Sequence, residues 1–308
     1  MKKLVHIILS LLSLIILFLW FFQNETNVSF LKKEPFRELE ILSASGEVTL
    51  LKLESNVSVT EIIDETLSEF EVRDEQVAIA YYDFLHDDHY YLNENRLMDA
   101  ASTSKIAIAA LFIDLISSGE LTWETSLPYY DHFFEDGFGT ITESEKKDSY
   151  QIEELLYDML THSDNTATNI LANFYIDHYS ESFYNYRQDI LAFSGLKDLP
   201  ADVYETNSTT AYILEQLLLT LADNDAYTYI FETLLSAQNG ERLKTYVTEG
   251  MAAKSGTSSD YQSEHDILIH YSSDGTHRYI LVVMTNNLSD IDDFMGTMNL
   301  RIYHSQQK

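Results

Sequence analysis

The apolar pattern of this chain changes its period twice, and this change limits the possible folds more than any other feature. Residues alternate as in β-strands from Val77 to Phe84 and from His89 to Leu92, with a turn at 86–88 between them. Apolar residues then recur at helical spacing through the middle of the chain. These helical segments are Ser102 to Ser117, Ile152 to Leu160, Thr166 to Tyr175, Glu181 to Phe193, Thr209 to Leu221 and Ala226 to Leu235.

Strand-like alternation returns after this helical block. Three strands are predicted at Gly250 to Gly256, Asp266 to Tyr271 and Arg278 to Thr285, with Asp274-Gly275 as a hairpin turn between the last two. Helices are predicted before and after the strands, at Val59 to Phe70 behind a Ser58 cap and at Ser289 to His304. The order predicts an α/β fold of the α+β sandwich type, with a five-stranded antiparallel sheet, flanking helices and an all-helical lobe.

The N-terminal segment from Leu4 to Phe22 carries no charged residue and follows Lys2 and Lys3. As a helix this run would be roughly 28 Å long, which matches the hydrocarbon core of a bilayer. No small-x-small cleavage motif follows it, so we predict an uncleaved signal anchor over residues 1–23, with the membrane contacted through residues 4–22. A cleaved secretory signal and a buried core helix are the alternatives.

The predicted anchor determines how we expect the remaining residues, 24–308, to be organised. Residues 24–57 are predicted to be a spacer with one small strand pair, and residues 58–308 a single large folded domain. We expect a single-pass protein of the cell membrane with this domain outside the cell, or a secreted protein if the signal is cleaved.

Composition excludes several function classes. The chain has 50 Asp+Glu against 19 Lys+Arg, a net charge of −31, and such a chain repels the phosphates of nucleic acid. It has no cysteine, which excludes disulfides, thiolate metal sites and thiol nucleophiles.

The first chemical motif is Ser102-Thr103-Ser104-Lys105, at the start of the long apolar helix. Residues three apart lie on one face of a helix, so Lys105 is predicted to lie within reach of the Ser102 hydroxyl. A serine needs a base to become a nucleophile, and burial of a lysine favours its neutral, basic form. An N-cap serine followed by a surface lysine is the structural alternative.

Two further motifs lie where side chains can face a cleft. Ser163-Asp164-Asn165 joins two predicted helices, where helix capping is the structural alternative. Lys254-Ser255-Gly256-Thr257 lies on a predicted strand, where its glycine would let a ligand approach the backbone. The alternative there is an edge strand protected by a lysine.

Ser-x-x-Lys, Ser-Asp-Asn and Lys-Ser-Gly in this order resemble the class A serine β-lactamases and the penicillin-binding proteins, from about Val59 to the C-terminus. The resemblance implies an acylated nucleophile, Ser102, an activating Lys105, and Ser163 as the group that passes a proton to the leaving nitrogen. It implies backbone oxyanion donors at Ser102 and Thr257, and no metal or other cofactor. The implied substrate-binding residues are Asn165, Lys254, Ser255, Gly256 and Thr257. His265, near the third motif, is a further candidate for assistance.

The sequence departs from the hydrolytic class A pattern at one point. Such enzymes carry a loop glutamate, followed four residues later by asparagine, that activates the deacylating water. The corresponding stretch, 195–207, holds no Glu-x-x-Leu-Asn. Its carboxylates are Asp198, Asp202 and Glu205, which are predicted to cap the loop or face solvent, with Glu205 or Asp202 as possible substitutes for the base.

These features support several functional hypotheses. The first is a class A β-lactamase-type serine acyl hydrolase that opens β-lactam rings and deacylates inefficiently. The second is a D-alanyl-D-alanine carboxypeptidase or transpeptidase like the penicillin-binding proteins, and a third is a non-catalytic wall-binding module. A metal hydrolase would rest on His86-Asp87-Asp88-His89 alone. The expected partner is a β-lactam or a D-Ala-D-Ala peptide, and the chain is expected to be monomeric.

Overall fold

A computed structural model describes residues 36–42, 48–54, 57–237, 240–260 and 262–307. The predicted spacer contains two strands, β1 (Phe36–Leu42) and β2 (Val48–Glu54), which pair with each other in antiparallel fashion. The predicted membrane segment, 4–22, lies outside the described residues. Of the helices in the described ranges, none has the length and apolar character needed to cross a membrane.

The central element is the predicted five-stranded antiparallel sheet, with strand order β4-β3-β11-β10-β9. Its strands are β3 (Val77–Asp83), β4 (Asp88–Leu92), β9 (Met251–Ser258), β10 (Ser263–Tyr271) and β11 (His277–Asn286). The middle strands are buried on both faces because helices cover each side. Strands β4 and β9 form the two edges of the sheet.

One face is covered by the first and last helices, α1 (Val59–Glu69) and α10 (Ile291–Ser305). The Ser58 side chain and Glu61 form the N-terminal capping box of α1, as the Ser58 cap predicts. The helical lobe packs on the other face. Its helices are α2 (Lys105–Ser117), α3 (Thr140–Glu143), α4 (Ile152–Thr161), α5 (Asn165–Tyr179), α6 (Phe183–Ala192), α7 (Asp202–Glu205), α8 (Ala211–Ala222) and α9 (Thr228–Ser236).

The structure also contains elements that the apolar pattern is too coarse to predict. Two short strand pairs join β5 (Met98–Asp99) to β8 (Ser208–Thr209) and β6 (Ser126–Pro128) to β7 (Ser149–Gln151). The helix predicted to start at Ser102 instead begins as a 3₁₀ turn over Ala101–Ser104, and α2 starts only at Lys105. Strands of two or three residues are too short to show a period, so only the folded chain reveals them.

Candidate active site

The 3₁₀ turn over Ala101–Ser104, called the Ser102 turn below, has a strained backbone that hydrogen bonds from several other segments hold in place. Ala101 has a left-handed φ of +46°, and its N–H donates to Asp99 Oδ1 at 2.7 Å. The Asn207 side-chain amide donates to the Ala101 carbonyl at 3.1 Å. His265 Nε2 lies 2.8 Å from the Asp99 carbonyl. A non-glycine residue in this conformation persists where the surrounding structure fixes it, as at many functional sites.

Strand β9 lies directly against this turn. A Cβ added to Gly256 would lie 2.9 Å from the Ser102 nitrogen and 3.2 Å from the Thr103 nitrogen. The glycine was predicted to admit a ligand, and the structure shows that it admits the backbone of the Ser102 turn. The Ser102 and Thr257 amides, which the resemblance implies as oxyanion donors, therefore belong to two segments in contact. Their role as donors stays a prediction.

Lys105 connects the first two motifs. It is buried, and Nζ lies 2.5 Å from the Ser163 carbonyl, 3.2 Å from Ser163 Oγ and 2.8 Å from Asn165 Oδ1. The sequence predicts Ser102 as its neighbour, but among the described residues its hydrogen bonds all go to the Ser163–Asn165 loop. Burial, assisted by the positive charge of Lys254, lowers the pKa of Lys105 to about 7. The lowered pKa makes the neutral amine, which can accept a proton, accessible near neutral pH.

Asp164 anchors the second motif. It is fully buried and caps α5 by accepting from Ala167 N at 2.7 Å, and its other oxygen accepts from Thr142 N at 2.7 Å. A Cβ at Gly139 would overlap that carboxylate, so the 139–142 turn is pressed against it. Ser163, beside it, has a left-handed φ of +60°. The loop is rigidly positioned, which suits a group that must face a cleft.

The third motif holds a second buried lysine. Lys254 is 3% exposed, and Nζ donates to the Ser255 carbonyl at 3.1 Å. Burial lowers the pKa of Lys254 to about 8, opposed by the negative charge of buried Asp266. Ser255 Oγ donates to Glu241 Oε1 at 3.1 Å, and the Thr257 side chain is exposed.

Arg242 is a site residue that the sequence analysis missed. Its buried guanidinium donates to the Gly256 carbonyl at 2.8 Å, to the His265 carbonyl at 2.6 Å and to Thr257 Oγ1 at 2.5 Å. Arginine has only donors, so Thr257 Oγ1 accepts and its own O–H remains free to donate. Arg242 lies in no motif, and no local pattern distinguishes it from the other cations of the chain.

His265 has a structural role. It is completely buried, which lowers its pKa to about 4 and keeps the ring neutral. Nδ1 accepts from Thr285 N at 3.0 Å, and Nε2 therefore donates to the Asp99 carbonyl. Both ring nitrogens are used by the backbone, so His265 supports the Ser102 turn.

The candidate deacylating carboxylates are not among the described hydrogen-bond partners of the site. Asp198, Asp202 and Glu205 are exposed, and none of them hydrogen-bonds Ser102 or Lys105 in the part of the chain that the structure describes. The nearby asparagine is Asn207, which contacts the Ala101 carbonyl. The residue four positions before Asn207 is the buried, apolar Val203, so this asparagine has no glutamate at the spacing of the hydrolytic pattern.

The residues of the metal-hydrolase alternative are engaged elsewhere. His86 Nδ1 lies 2.9 Å from Asp83 Oδ2, and His89 Nδ1 lies 2.9 Å from the Tyr91 hydroxyl. Within the described ranges, no group of three or more His, Asp or Glu side chains could hold a metal ion.

Comparison with known proteins finds a family model and several solved structures that are similar to this chain. A family model described as "Beta-lactamase enzyme family" matches residues 58–305. The solved β-lactamase from Sphaerobacter thermophilus DSM 20745 is 20% identical, with a TM-score of 0.66 over 82% of this chain and 98% of that chain. The structure of PBP-A is 18% identical, with a TM-score of 0.65 over the same shares.

An ancestral class A β-lactamase (GNCA) is 18% identical, with a TM-score of 0.64 over 79% of this chain and 99% of that chain. At these identities the solved structures show a shared fold. The comparison with curated proteins gives no match.

Proposed function

The chain belongs to the beta-lactamase enzyme family, and from this premise we propose that it forms an acyl-enzyme with β-lactams at Ser102 and releases the product slowly. It is a serine hydrolase of the superfamily that contains the β-lactamases and the penicillin-binding proteins. The observation that carries the proposal is the buried Lys105 ammonium group, which hydrogen-bonds Ser163 and Asn165 and has a pKa of about 7.

Acylation follows from these groups. Ser102 Oγ attacks the lactam carbonyl carbon, and its proton passes to neutral Lys105 Nζ as the new C–O bond forms. The carbonyl oxygen becomes an oxyanion, which the Ser102 and Thr257 N–H groups stabilise. When the C–N bond breaks, the leaving nitrogen takes a proton from Ser163 Oγ, and Ser163 regains one from Lys105. The 3.2 Å between Lys105 Nζ and Ser163 Oγ permits this transfer.

The third motif supplies a receptor for the substrate carboxylate. Lys254 provides a buried positive charge, and the Thr257 hydroxyl keeps its proton for the carboxylate because Arg242 already donates to its oxygen. Arg242 also adds positive charge directly behind the strand. This arrangement favours substrates with a carboxylate beside the scissile amide, which β-lactams and D-Ala-D-Ala peptides share.

Deacylation lacks an evident base. Val203 occupies the position four residues before Asn207, and a buried valine cannot activate water. Asp198, Asp202 and Glu205 are exposed, and none of them takes part in the described hydrogen bonds of Ser102, Lys105 or Ser163. The acyl-enzyme should therefore accumulate. A related structure, a PBP-A variant, is described as an acyl-enzyme complex with penicillin G.

The second candidate function is a D-alanyl-D-alanine carboxypeptidase or transpeptidase of peptidoglycan. The missing deacylating base favours it, since such an enzyme reacts with β-lactams as slowly released inhibitors. The same Ser102, Lys105 and carboxylate receptor serve both substrates.

Incubation of the full chain with a fluorescent penicillin tests the proposal. We expect label that persists on the protein while little hydrolysed product appears, and no label on Ser102→Ala. Rapid product release would identify an efficient β-lactamase instead. Release of D-alanine from a D-Ala-D-Ala peptide would identify the peptidase. Native wild-type protein that takes no label would reject acylation and favour a non-catalytic module.

We also propose that residues 4–22 anchor the chain in the cell membrane, with the catalytic region outside the cell. The support is the uncharged apolar run behind two lysines. Alkaline carbonate extraction should leave the full chain in the membrane fraction and should release a matched variant that lacks residues 4–22. Extraction that releases the intact full-length protein would contradict the anchor.

A further inference from the structure

Arg187 is a buried cation far from the three motifs in sequence. It lies on α6 and is 2% exposed. Nε donates to the Val203 carbonyl at 3.0 Å, Nη1 to Asn207 Oδ1 at 3.3 Å and Nη2 to the Ser208 carbonyl at 2.8 Å. One planar guanidinium thus fixes the whole segment from α7 to β8.

That segment in turn holds the nucleophile turn. The Asn207 carbonyl accepts from Ala100 N at 2.6 Å, and its side-chain nitrogen donates to the Ala101 carbonyl at 3.1 Å. Ser208 pairs with Asp99 across β8 and β5. Asn207 therefore contacts the two residues immediately before Ser102, including the left-handed Ala101.

The orientation of the Asn207 amide depends on Arg187. Because a guanidinium only donates, it requires the amide oxygen on its own side, and this turns the amide nitrogen toward the Ala101 carbonyl. A small cavity lined by Arg187, Ala100 and Ser104 lies between α6 and the turn. Hydrogen bonds through Asn207 connect α6 to the turn beside this cavity.

The hydrogen bonds of the guanidinium include no carboxylate. In the described residues its three acceptors are two carbonyls and an amide, and the negative charge of Asp99 acts on it without a hydrogen bond between the two side chains. A buried charge whose hydrogen-bond acceptors are all neutral is expensive. We propose that Arg187 is a positioning residue, which acts through Asn207 to hold the Ser102 turn in its reactive conformation. This inference rests on the proposed acylation at Ser102.

The test compares Asn207→Asp and Arg187→Met with the wild type. Asn207→Asp keeps an acceptor for Arg187 but replaces the donor to the Ala101 carbonyl with an oxygen. Arg301→Met is the matched control, because Arg301 also joins two elements, donating from α10 to Thr66 and Glu69 of α1. The measurements are the acylation rate constant at saturating penicillin, per folded molecule well below the melting temperature, and amide hydrogen exchange of segment 98–104.

We expect acylation to slow about tenfold or more in Asn207→Asp and Arg187→Met, in line with the cost of a misplaced nucleophile, and segment 98–104 to exchange faster. Arg301→Met should lower the melting temperature while leaving both readouts unchanged. If Arg187→Met fails to fold, the acylation rate and hydrogen exchange of Asn207→Asp alone decide whether the inference holds. Wild-type acylation rates and exchange in Asn207→Asp would overturn the inference. Wild-type protein that is not labelled by penicillin would reject the proposed function. In that case, unchanged amide hydrogen exchange of segment 98–104 in the variants would separately reject the positioning role.

Discussion

The two edges of the sheet both bury charged side chains, but they do so with different results. At the β9 edge, Lys254 and Arg242 are buried and donate to oxygens of the third motif. At the β4 edge, Glu215 of α8 is fully buried; one oxygen accepts from the Tyr91 hydroxyl at 2.8 Å. Its other oxygen has no hydrogen bond among the described residues and lies 3.5 Å from His89 Nδ1.

The β9 and β4 edges differ in what their buried charged side chains face. Burial of a charge costs stability at either edge. At the β9 edge, the cations bind the strand segment whose Gly256 lies against the Ser102 turn, where the proposed anionic substrate and oxyanion would be bound. At the β4 edge, the Glu215 cluster faces no motif. We therefore expect substitutions at the β9 edge to affect chemistry and substitutions at the β4 edge to affect stability.

The largest effect is expected from Lys105→Met, which removes the base while retaining an apolar stem of similar length. Without a group to take the Ser102 proton, acylation should fall by about 10³-fold or more. Stopped-flow labelling with fluorescent penicillin measures the rate constant. Near-normal acylation in a folded Lys105→Met protein would show that another group activates Ser102.

The second effect tests the contact between β9 and the nucleophile turn. Gly256→Ala would place a Cβ 2.9 Å from the Ser102 nitrogen, a backbone atom that can move only with the turn. We expect acylation to fall about 100-fold. Gly240→Ala is the matched control, because a Cβ there meets no described atom within 4 Å, and it should acylate normally. Equal rates in the two variants would contradict the close approach.

The third effect is a narrow pH optimum at the β9 edge. Lys105 must be neutral to accept a proton, so acylation should increase as pH rises through its pKa of about 7. Lys254 must stay protonated to bind a carboxylate, so acylation should decrease as pH rises through its pKa of about 8. We expect the second-order acylation constant to change about tenfold per pH unit outside these values.

Lys254→Arg separates the acidic limb of the pH profile of acylation from the alkaline limb, since arginine stays charged. In this variant the alkaline decrease should disappear while the acidic limb remains. An unchanged alkaline decrease in this variant would show that a group other than Lys254 causes it.

The smallest effect is expected from Glu215→Gln at the β4 edge, and it is an effect on stability. Burial raises the pKa of Glu215, so the folded state binds its proton more tightly than the unfolded state. Its stabilising contribution is therefore present below the unfolded pKa and is lost as pH rises through the folded pKa. Glu215→Gln should stabilise the protein by about 1 kcal/mol at neutral pH, with less gain in acid, and leave acylation unchanged.

Thermal unfolding of Glu215→Gln at several pH values measures this difference, with exposed Glu232→Gln as the control. A destabilised variant at neutral pH would show that the Glu215 charge is satisfied by His89. Slower acylation would show that the two edges are coupled.

Local sequence patterns predicted much of the fold. The individual strands, the helices and the Ser58 cap of α1 depend on residues close in sequence, so the pattern of residues reveals them. The order of these elements along the chain then predicted one sheet, although β3 pairs with the distant strand β11. The 3₁₀ turn at Ala101–Ser104 was not predicted, because its conformation depends on Asn207 and on hydrogen bonds from elsewhere in the chain.

The sequence by itself determined the three motifs, their order and the family to which they point. Only the tertiary structure decided how they meet. Lys105 follows Ser102 by one turn, yet its buried ammonium donates to Ser163 and Asn165, which lie 58 and 60 residues away. Arg242, Arg187 and His265 acquired their roles in the same way. A buried donor must find acceptors wherever the fold places them, and that requirement cannot be read from its sequence neighbours.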